Sequence, residues 1–250
     1  VPKPLLPLAG RPLLEHLLLL LRRHGATDAV ITVHYLAQMI RTYFGDGADL
    51  GIGLSYATES RPMGTAGSVK LAESRIGDEP FLVMSGDALT DIDLSALLAA
   101  HHQQGALVTV CLAQRSDPMG MGLVVTDDNG RVTRFLEKPD WSQVFTDTVN
   151  TGIYVVSPEV LKGIPTDEPV DWARDVFPRL LEIGAPLYGH VTDGYWEDVG
   201  TLEAYRAGQA DALDGRVRVE IPGHQVAPSV WFGTGVEVDS KASLTGPVVL

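Results

Sequence analysis

Apolar and polar positions in the N-terminal half of the chain follow two alternating periods. In "RPLLEHLLLLLRRHGA" Pro12 stands near a helix start, apolar residues fill nearly every turn, Arg22, Arg23 and His24 close the last turn, and Gly25 offers a C-terminal cap. Such continuous apolarity predicts a helix buried on more than one side. Next the pattern predicts a strand at Ala29 to Val33, a helix at about Leu36 to Phe44 and a strand at Leu54 to Ala57. A helix at about Thr65 to Arg75 and a strand at Phe81 to Ser85 continue the rhythm. Strands joined by crossover helices predict an α/β fold whose sheet is mostly parallel and covered on both faces.

After a helix at about Leu94 to Gln104, strands crowd together: Leu107 to Ala113, Gly122 to Thr126, Arg131 to Glu137 and Val149 to Val156, with "DDNG" as a hairpin turn. Helices follow near Trp172 to Ile183 and Leu202 to Leu213. From Ile221 the helical pattern stops. Val230, Val236, Ala242 and Val248 recur every six residues among Gly233, Gly235 and Gly246, a period that resembles the hexapeptide coils of a left-handed parallel β-helix. The expected organisation is a domain over 1–213, a linker over 214–220 and the start of a β-helix over 221–250. So few coils stack poorly, so the native chain is expected to continue.

Charge narrows the partners. A net charge of −13 over 250 residues argues against nucleic acid and anionic membranes, which call for Lys and Arg clusters. Phosphate must then be met locally by placed cations, backbone amides or a metal. The single cysteine, Cys111, lies in an apolar run and is expected in the core; with no internal disulfide possible it suits a reducing compartment. The run Leu17 to Leu21 is too short to span a bilayer and no signal peptide is visible, so the reading is a soluble cytoplasmic protein.

Ligands of open α/β sheets bind beyond the carboxyl ends of the strands. There, after Phe81 to Ser85, stand Gly86 and Asp87; Gly86 permits close approach and Asp87 offers an oxygen of the kind Mg²⁺ prefers. Asp93 precedes a helix and reads as its N-cap, while Asp91 is open between the two roles. In "VPKPLLPLAGRP" Lys3 is mounted between two prolines. In "ESRPMGTAGSVK" Gly64, Thr65, Ala66 and Gly67 open a helix, where small residues and outward amides could meet a ring or a phosphate. "FLEKPD" places Glu137 beside Lys138 at a strand end, and "GYWEDVGT" sets Asp198 in a glycine-flanked turn. The histidines form no metal-ligand spacing: His101 and His102 read as solvated, His34 and His190 as structural, and Trp172, Trp196 and Trp231 as packing residues.

Taken together and in this order, these segments closely resemble the sugar-1-phosphate nucleotidyltransferases, from residue 1 to about residue 213. With the six-residue tail they look most like the mannose-1-phosphate guanylyltransferase and glucose-1-phosphate nucleotidyltransferase branches. The resemblance implies a Rossmann-like nucleotidyltransferase fold, and NTP and sugar 1-phosphate as partners. It implies Mg²⁺ held by Asp87 and Asp198. Lys3 would contact phosphates, Glu137 a sugar hydroxyl and Lys138 the sugar phosphate. Asn150 and Gly152 of "NTGIY" would line the sugar pocket, with Gly64 to Gly67 against the base. Assembly into a homo-oligomer is expected, since hexapeptide tails often assemble.

Glu59 stands where relatives using uracil or thymine often carry Gln. Guanine offers N1–H and a 2-amino group that one carboxylate could accept as a pair, which favours GTP, with mannose 1-phosphate as acceptor; a solvated loop acid is the equal alternative. Glucose-1-phosphate uridylyl, thymidylyl or adenylyl transfer stays open. The family's loop G-G-x-G-T-R-L, which follows its first strand, is absent from these residues; the chain is therefore expected to be truncated at both ends and poorly active without that loop. The rivals are a glycosyltransferase using "DID" (Asp91 to Asp93) as a D-x-D motif, a non-catalytic subunit of the same fold, and an acyltransferase in the tail.

Overall fold

The computed structural model describes residues 1–137, 142, 144–239, 241–244 and 246–250. A short hairpin, β1 (Pro7–Leu8) and β2 (Arg11–Pro12), leads into α1 (Leu13–Arg23). Then follow β3 (Asp28–Val33), α2 (Ala37–Phe44), β4 (Gly53–Thr58), α3 (Gly64–Leu71), β5 (Phe81–Met84), β6 (Ala88–Thr90) and α4 (Leu94–Gln104). The strand-rich middle holds β7 (Val108–Gln114), β8 (Leu123–Thr126), β9 (Val132–Leu136) and β10 (Thr148–Val156). A wide π-type turn at Trp172–Val176 runs into α5 (Phe177–Glu182), and β11 (Leu187–Val191), β12 (Trp196–Asp198) and α6 (Leu202–Leu213) complete the main body. The tail contributes β13 (His224–Ala227), β14 (Val230–Phe232) and β15 (Val248–Val249).

The central sheet is mixed, not mostly parallel. Its order is β11-β7-β10-β8-β9, with β5 also on β10. β7 and β11 are parallel, but β10 runs antiparallel to β5, β7 and β8. Hydrophobic periodicity reports burial and is blind to strand direction, which is why the expectation failed here. Alternation does explain the burial. Val108, Val110 and Leu112 of β7 and Tyr154 and Val156 of β10 face one apolar layer with Trp172 and Phe177. Cys111, Ala113, Ile153 and Val155 face the other, with Leu20 and Leu97 of α1 and α4. Both layers are dry, so these strands read as unbroken apolar runs.

α1 is buried on several sides, as its composition demands: Leu13, Leu14, Leu17, Leu18, Leu19 and Leu20 are all buried. β3 and β4 are parallel and form their own pair. Among the described residues β3 pairs with β4 alone and β5 with β10 alone. An apolar cavity of about 900 Å³ lies between β3 and β5, lined by Leu14, Leu18, Val30, Leu82, Val83 and Met84 among others. It leaves every residue of β5 half-buried.

The segment 214–220 is docked rather than free. Val217 is fully buried, the Arg218 amide donates to Asp91, and Glu220 receives Arg11 on its carbonyl and Arg22 on its carboxylate. In the tail, Val230 pairs in parallel with Val248, eighteen residues on, an offset of three six-residue steps. β13 and β14, however, form an antiparallel hairpin that the six-residue period did not predict. A left-handed β-helix is thus not what the described tail residues display; they form a small mixed sheet.

Burial also fixes a histidine at the heart of this assembly. His16 Nε2 lies 2.8 Å from the Leu8 carbonyl oxygen, so its N–H must donate there, and Nδ1 is buried without a partner among the described residues. Burial therefore lowers its pKa from 6.5, with the Leu8 carbonyl opposing. His101 is lowered too, by burial first and then by neighbouring His102. Below about pH 6.5 the unfolded chain takes up protons that the folded chain refuses, so stability present at higher pH is lost on acidification. The Tm is expected to fall between about pH 7 and about pH 5 with a shallower slope in the double variant His16→Gln, His101→Gln; an unchanged slope would contradict this assignment.

Candidate active site

Asp87 follows β5 and opens β6, and β12 returns antiparallel beside β6 with Asp198 opposite Ala88. The Val199 amide donates to the Asp87 carbonyl at 3.4 Å, which clips the two acidic turns together. Gly200 closes the turn: its amide turns back onto the Asp198 carbonyl at 2.7 Å. Lys3 comes from the N-terminal 3-10 turn Lys3–Leu5. Its Nζ donates to Asp87 Oδ2 at 2.6 Å and lies 3.6 Å from Asp198 Oδ1. One cation position is thus shared by two acids that are 111 residues apart in sequence. Asp198 keeps 59% of its side chain exposed, so this position opens to solvent and ligands.

The residues expected around a sugar meet at a bend in β10. Register between β7 and β10 breaks between Asn150 and Tyr154, and Gly152 in that break has φ +74°, a conformation suited to glycine. Asn150 braces the bend: its Oδ1 accepts from the Gly152 amide at 3.0 Å and its Nδ2 donates to Tyr154 Oη at 3.0 Å. The Gly152 carbonyl accepts from Ser85 N, which ties the bend to the turn carrying Gly86 and Asp87. Glu137 reaches the same place, since a Cβ on Gly122 would lie 2.7 Å from Glu137 Oε2 and 3.5 Å from Asn150 Cβ. Lys138 lies outside the described residues.

The helix start at Gly64 to Gly67 departs from expectation. The amides of Ala66 and Gly67 do not point outward; both donate to the Val170 carbonyl, at 2.9 and 3.0 Å. Thr65 Oγ1 donates to Asp171 Oδ2 at 2.8 Å, and Gly64 packs so closely on Val170 that a Cβ would come within 2.5 Å of its carbonyl oxygen. Sequence reasoning missed Val170 and Asp171 in this role. The available signal was Asp171 just before a helical pattern, and Asp171 does cap Ala173 and Arg174. Glu59 is likewise engaged: Oε2 accepts from the Met63 amide at 3.0 Å and Oε1 from Ser68 Oγ at 2.7 Å. It is neither a purely solvated acid nor an idle acceptor, and each oxygen keeps a further lone pair.

The remaining acids separate cleanly. Asp93 Oδ1 caps α4 by accepting from Ala96 N at 2.9 Å. Asp91 accepts from the Tyr195 and Arg218 amides, at 2.8 and 2.7 Å, and so holds backbone rather than ligand. Both aspartates of "DID" thus serve local backbone, Asp93 as a helix cap and Asp91 as a tie between segments. Glu197, which the sequence reading passed over, pairs with Arg115 at 3.2 Å; burial raises its pKa and Arg115 opposes that. His101 is not solvated but buried, between Thr109 and Ser157, because the last turn of α4 lies on β7. Cys111 is a core residue, its thiol pushed up to about 12 by burial, and unreactive. Among the described residues no group of three or more His, Cys, Asp or Glu is arranged to hold a metal, and no helix is long and apolar enough to cross a membrane.

A family model described as nucleotidyl transferase matches residues 1–215. UTP–glucose-1-phosphate uridylyltransferase of Synechocystis sp. is 34% identical over 100% of this chain and 68% of its own length. Mannose-1-phosphate guanylyltransferase of Mycobacterium tuberculosis is 38% identical over 86% of this chain and 59% of its own. The chain thus spans between 59% and 68% of the length of these relatives. The fold is also that of HddC from Yersinia pseudotuberculosis complexed with GMP-PN, with a TM-score of 0.73 at 22% identity over 84% of this chain and 89% of that one. By the family match over its main body and the identity to relatives of known name, the chain belongs to the nucleotidyl transferase family.

Proposed function

We propose that this chain carries out nucleotidyl transfer from GTP to mannose 1-phosphate, giving GDP-mannose and pyrophosphate. The observation that carries the reading is the shared cation position: Asp87 and Asp198 both within 3.6 Å of Lys3 Nζ, beside a bend built from Glu137, Asn150 and Gly152. A non-bridging phosphate oxygen of the sugar 1-phosphate forms a bond to the α-phosphorus. The bond from that phosphorus to the bridging oxygen breaks, and pyrophosphate leaves with the electron pair. The attacking oxygen is already ionised at neutral pH, so the chain's work is to bring anions together.

The donor set suits Mg²⁺. Two carboxylates are hard oxygen ligands, and the ammonium between them supports reading the position as one for a cation. Asp87 and Asp198 would hold the metal, leaving its other positions to phosphates and water. When bound, it would neutralise charge developing on the phosphates. Lys3, freed from one carboxylate, would turn its three N–H donors to phosphate oxygens. Glu137 would accept a sugar hydroxyl at the β10 bend, Asn150 and Gly152 would shape that pocket, and Lys138 would hold the sugar phosphate. Gly86 would let the ligand close on the β5 end, and Gly64, Thr65 and Ala66 would support the base edgewise, locked by Val170 and Asp171.

Assembly of the protein with copies of itself through the small tail sheet belongs to the same reading. With GTP, mannose 1-phosphate and Mg²⁺, the protein carrying this chain should release pyrophosphate only when both substrates are present. Asp87→Asn should lower turnover by about a hundredfold or more. Release without the sugar, or an undiminished variant, would overturn the reading.

Base choice rests on Glu59, whose remaining lone pairs could accept the N1–H and 2-amino group of guanine. A second reading, transfer from UTP to glucose 1-phosphate, is favoured by the likeness over the whole chain to the uridylyltransferase. Isothermal titration with GDP-mannose and UDP-glucose separates them. GDP-mannose should bind tighter to the wild type, and Glu59→Gln should shrink that preference by roughly tenfold or more. Equal preference in both proteins would remove Glu59 from base selection.

A further inference from the structure

The two charges that meet at the cleft are carried by segments remote in sequence, yet one helix holds both. Asp198 ends β12 and is followed within three residues by Thr201, which caps α6 by accepting from Ala204 N at 3.1 Å. The body of α6 then grips the β1–β2 hairpin that follows the turn carrying Lys3. Tyr205 Oη donates to the Pro7 carbonyl, and Gln209 Oε1 accepts from the Ala9 amide at 2.9 Å. These side chains are four residues apart and so share a helix face. Gly208 between them brings the helix close, since a Cβ there would lie 3.2 Å from Leu89 and 3.4 Å from Leu8.

The hairpin needs such a grip. Ala9 is fully buried with φ +48°, in the left-handed region that alanine disfavours, and Gly10 follows at φ +84°. Its amide would be an unsatisfied buried donor without Gln209. From that hairpin to Lys3 the chain is stiff: a single 3-10 turn, Lys3–Leu5, is closed by Leu6 N donating to the Lys3 carbonyl at 3.0 Å, and prolines flank Lys3 on both sides. Displacement of the hairpin is therefore carried to the Lys3 backbone, from which the ammonium reaches Asp87 and Asp198.

We propose that Tyr205 and Gln209 are positioning residues for Lys3, and that α6 sets the separation between the Lys3 ammonium and Asp198 by bracing both. The inference deepens the nucleotidyl-transfer reading and rests on it for the catalytic role of Lys3; the placement itself rests on the contacts above. Competitive acylation of lysines, followed by mass spectrometry, reports it without any assay of activity. Lys3 labelling, normalised to Lys70, should rise about threefold or more in Gln209→Met and further in the double variant with Tyr205→Phe, while the conservative Gln209→Glu, which keeps the acceptor, should label as the wild type does. Tyr205→Phe removes a single oxygen and tests the same point should Gln209→Met fail to fold. Unchanged Lys3 labelling in folded Tyr205→Phe and Gln209→Met, or equal rises in Gln209→Met and Gln209→Glu, would overturn the proposal while leaving the nucleotidyl-transfer reading intact.

Discussion

The Lys3 ammonium stands between two carboxylates that would otherwise repel each other, and that arrangement dictates much of what surrounds it. Lys3 and Asp87 keep about a third of their side chains exposed and Asp198 more than half, so solvent screens the pairs and their contribution to stability is small. Their value lies in geometry. Convergence at one point needs β5 and β6 to deliver Asp87, β12 to run back beside β6 with Asp198, and a proline-stiffened turn to deliver Lys3. A protein of net charge −13 draws a divalent cation to such a point more readily than it draws a phosphate, which suggests why phosphate handling would be left to a metal and a few placed lysines.

The sheet beneath the site supplies the rigidity that this placement needs. β7 and β10 are buried on both faces, and close-packed strands of this kind transmit displacement rather than absorb it. The irregularity nearest the acidic turns is the bend at Gly152. There β10 leaves β5 and turns towards β8, which brings Glu137 and Asn150 near the turn that follows Ser85 and carries Asp87. The helix start at Gly64 to Gly67 is held differently, by hydrogen bonds from the Thr65 side chain and the Ala66 and Gly67 amides to Asp171 and Val170. Two of its backbone donors are thereby spent on protein, and Glu59 is tied to the same turn through Met63 and Ser68.

Much of this was legible in the sequence. α4 and α6 span the residues that their patterns predict, and α4 starts at the cap Asp93, a local signal whose hydrogen bond closes within the first turn. The nearness of Asp87 and Asp198 was carried by a resemblance, since nothing within either turn points to the other. Strand direction was not legible, as a dry strand shows the same apolar run whichever way it points. His101 was misjudged because a histidine near a helix end looks solvated until β7 is known to lie under it. The role of Val170 in occupying two amides leaves no trace in composition, being a backbone contact across about a hundred residues.

The most direct test of the shared cation position is Mn²⁺ binding followed by electron paramagnetic resonance, with Mn²⁺ standing in for Mg²⁺. The wild-type protein should bind one ion per chain in the presence of GTP, and Asp87→Asn and Asp198→Asn should each weaken that binding by about tenfold or more. Equal affinity in all three proteins, or loss in only one of the two variants, would mean that the two carboxylates do not hold one ion.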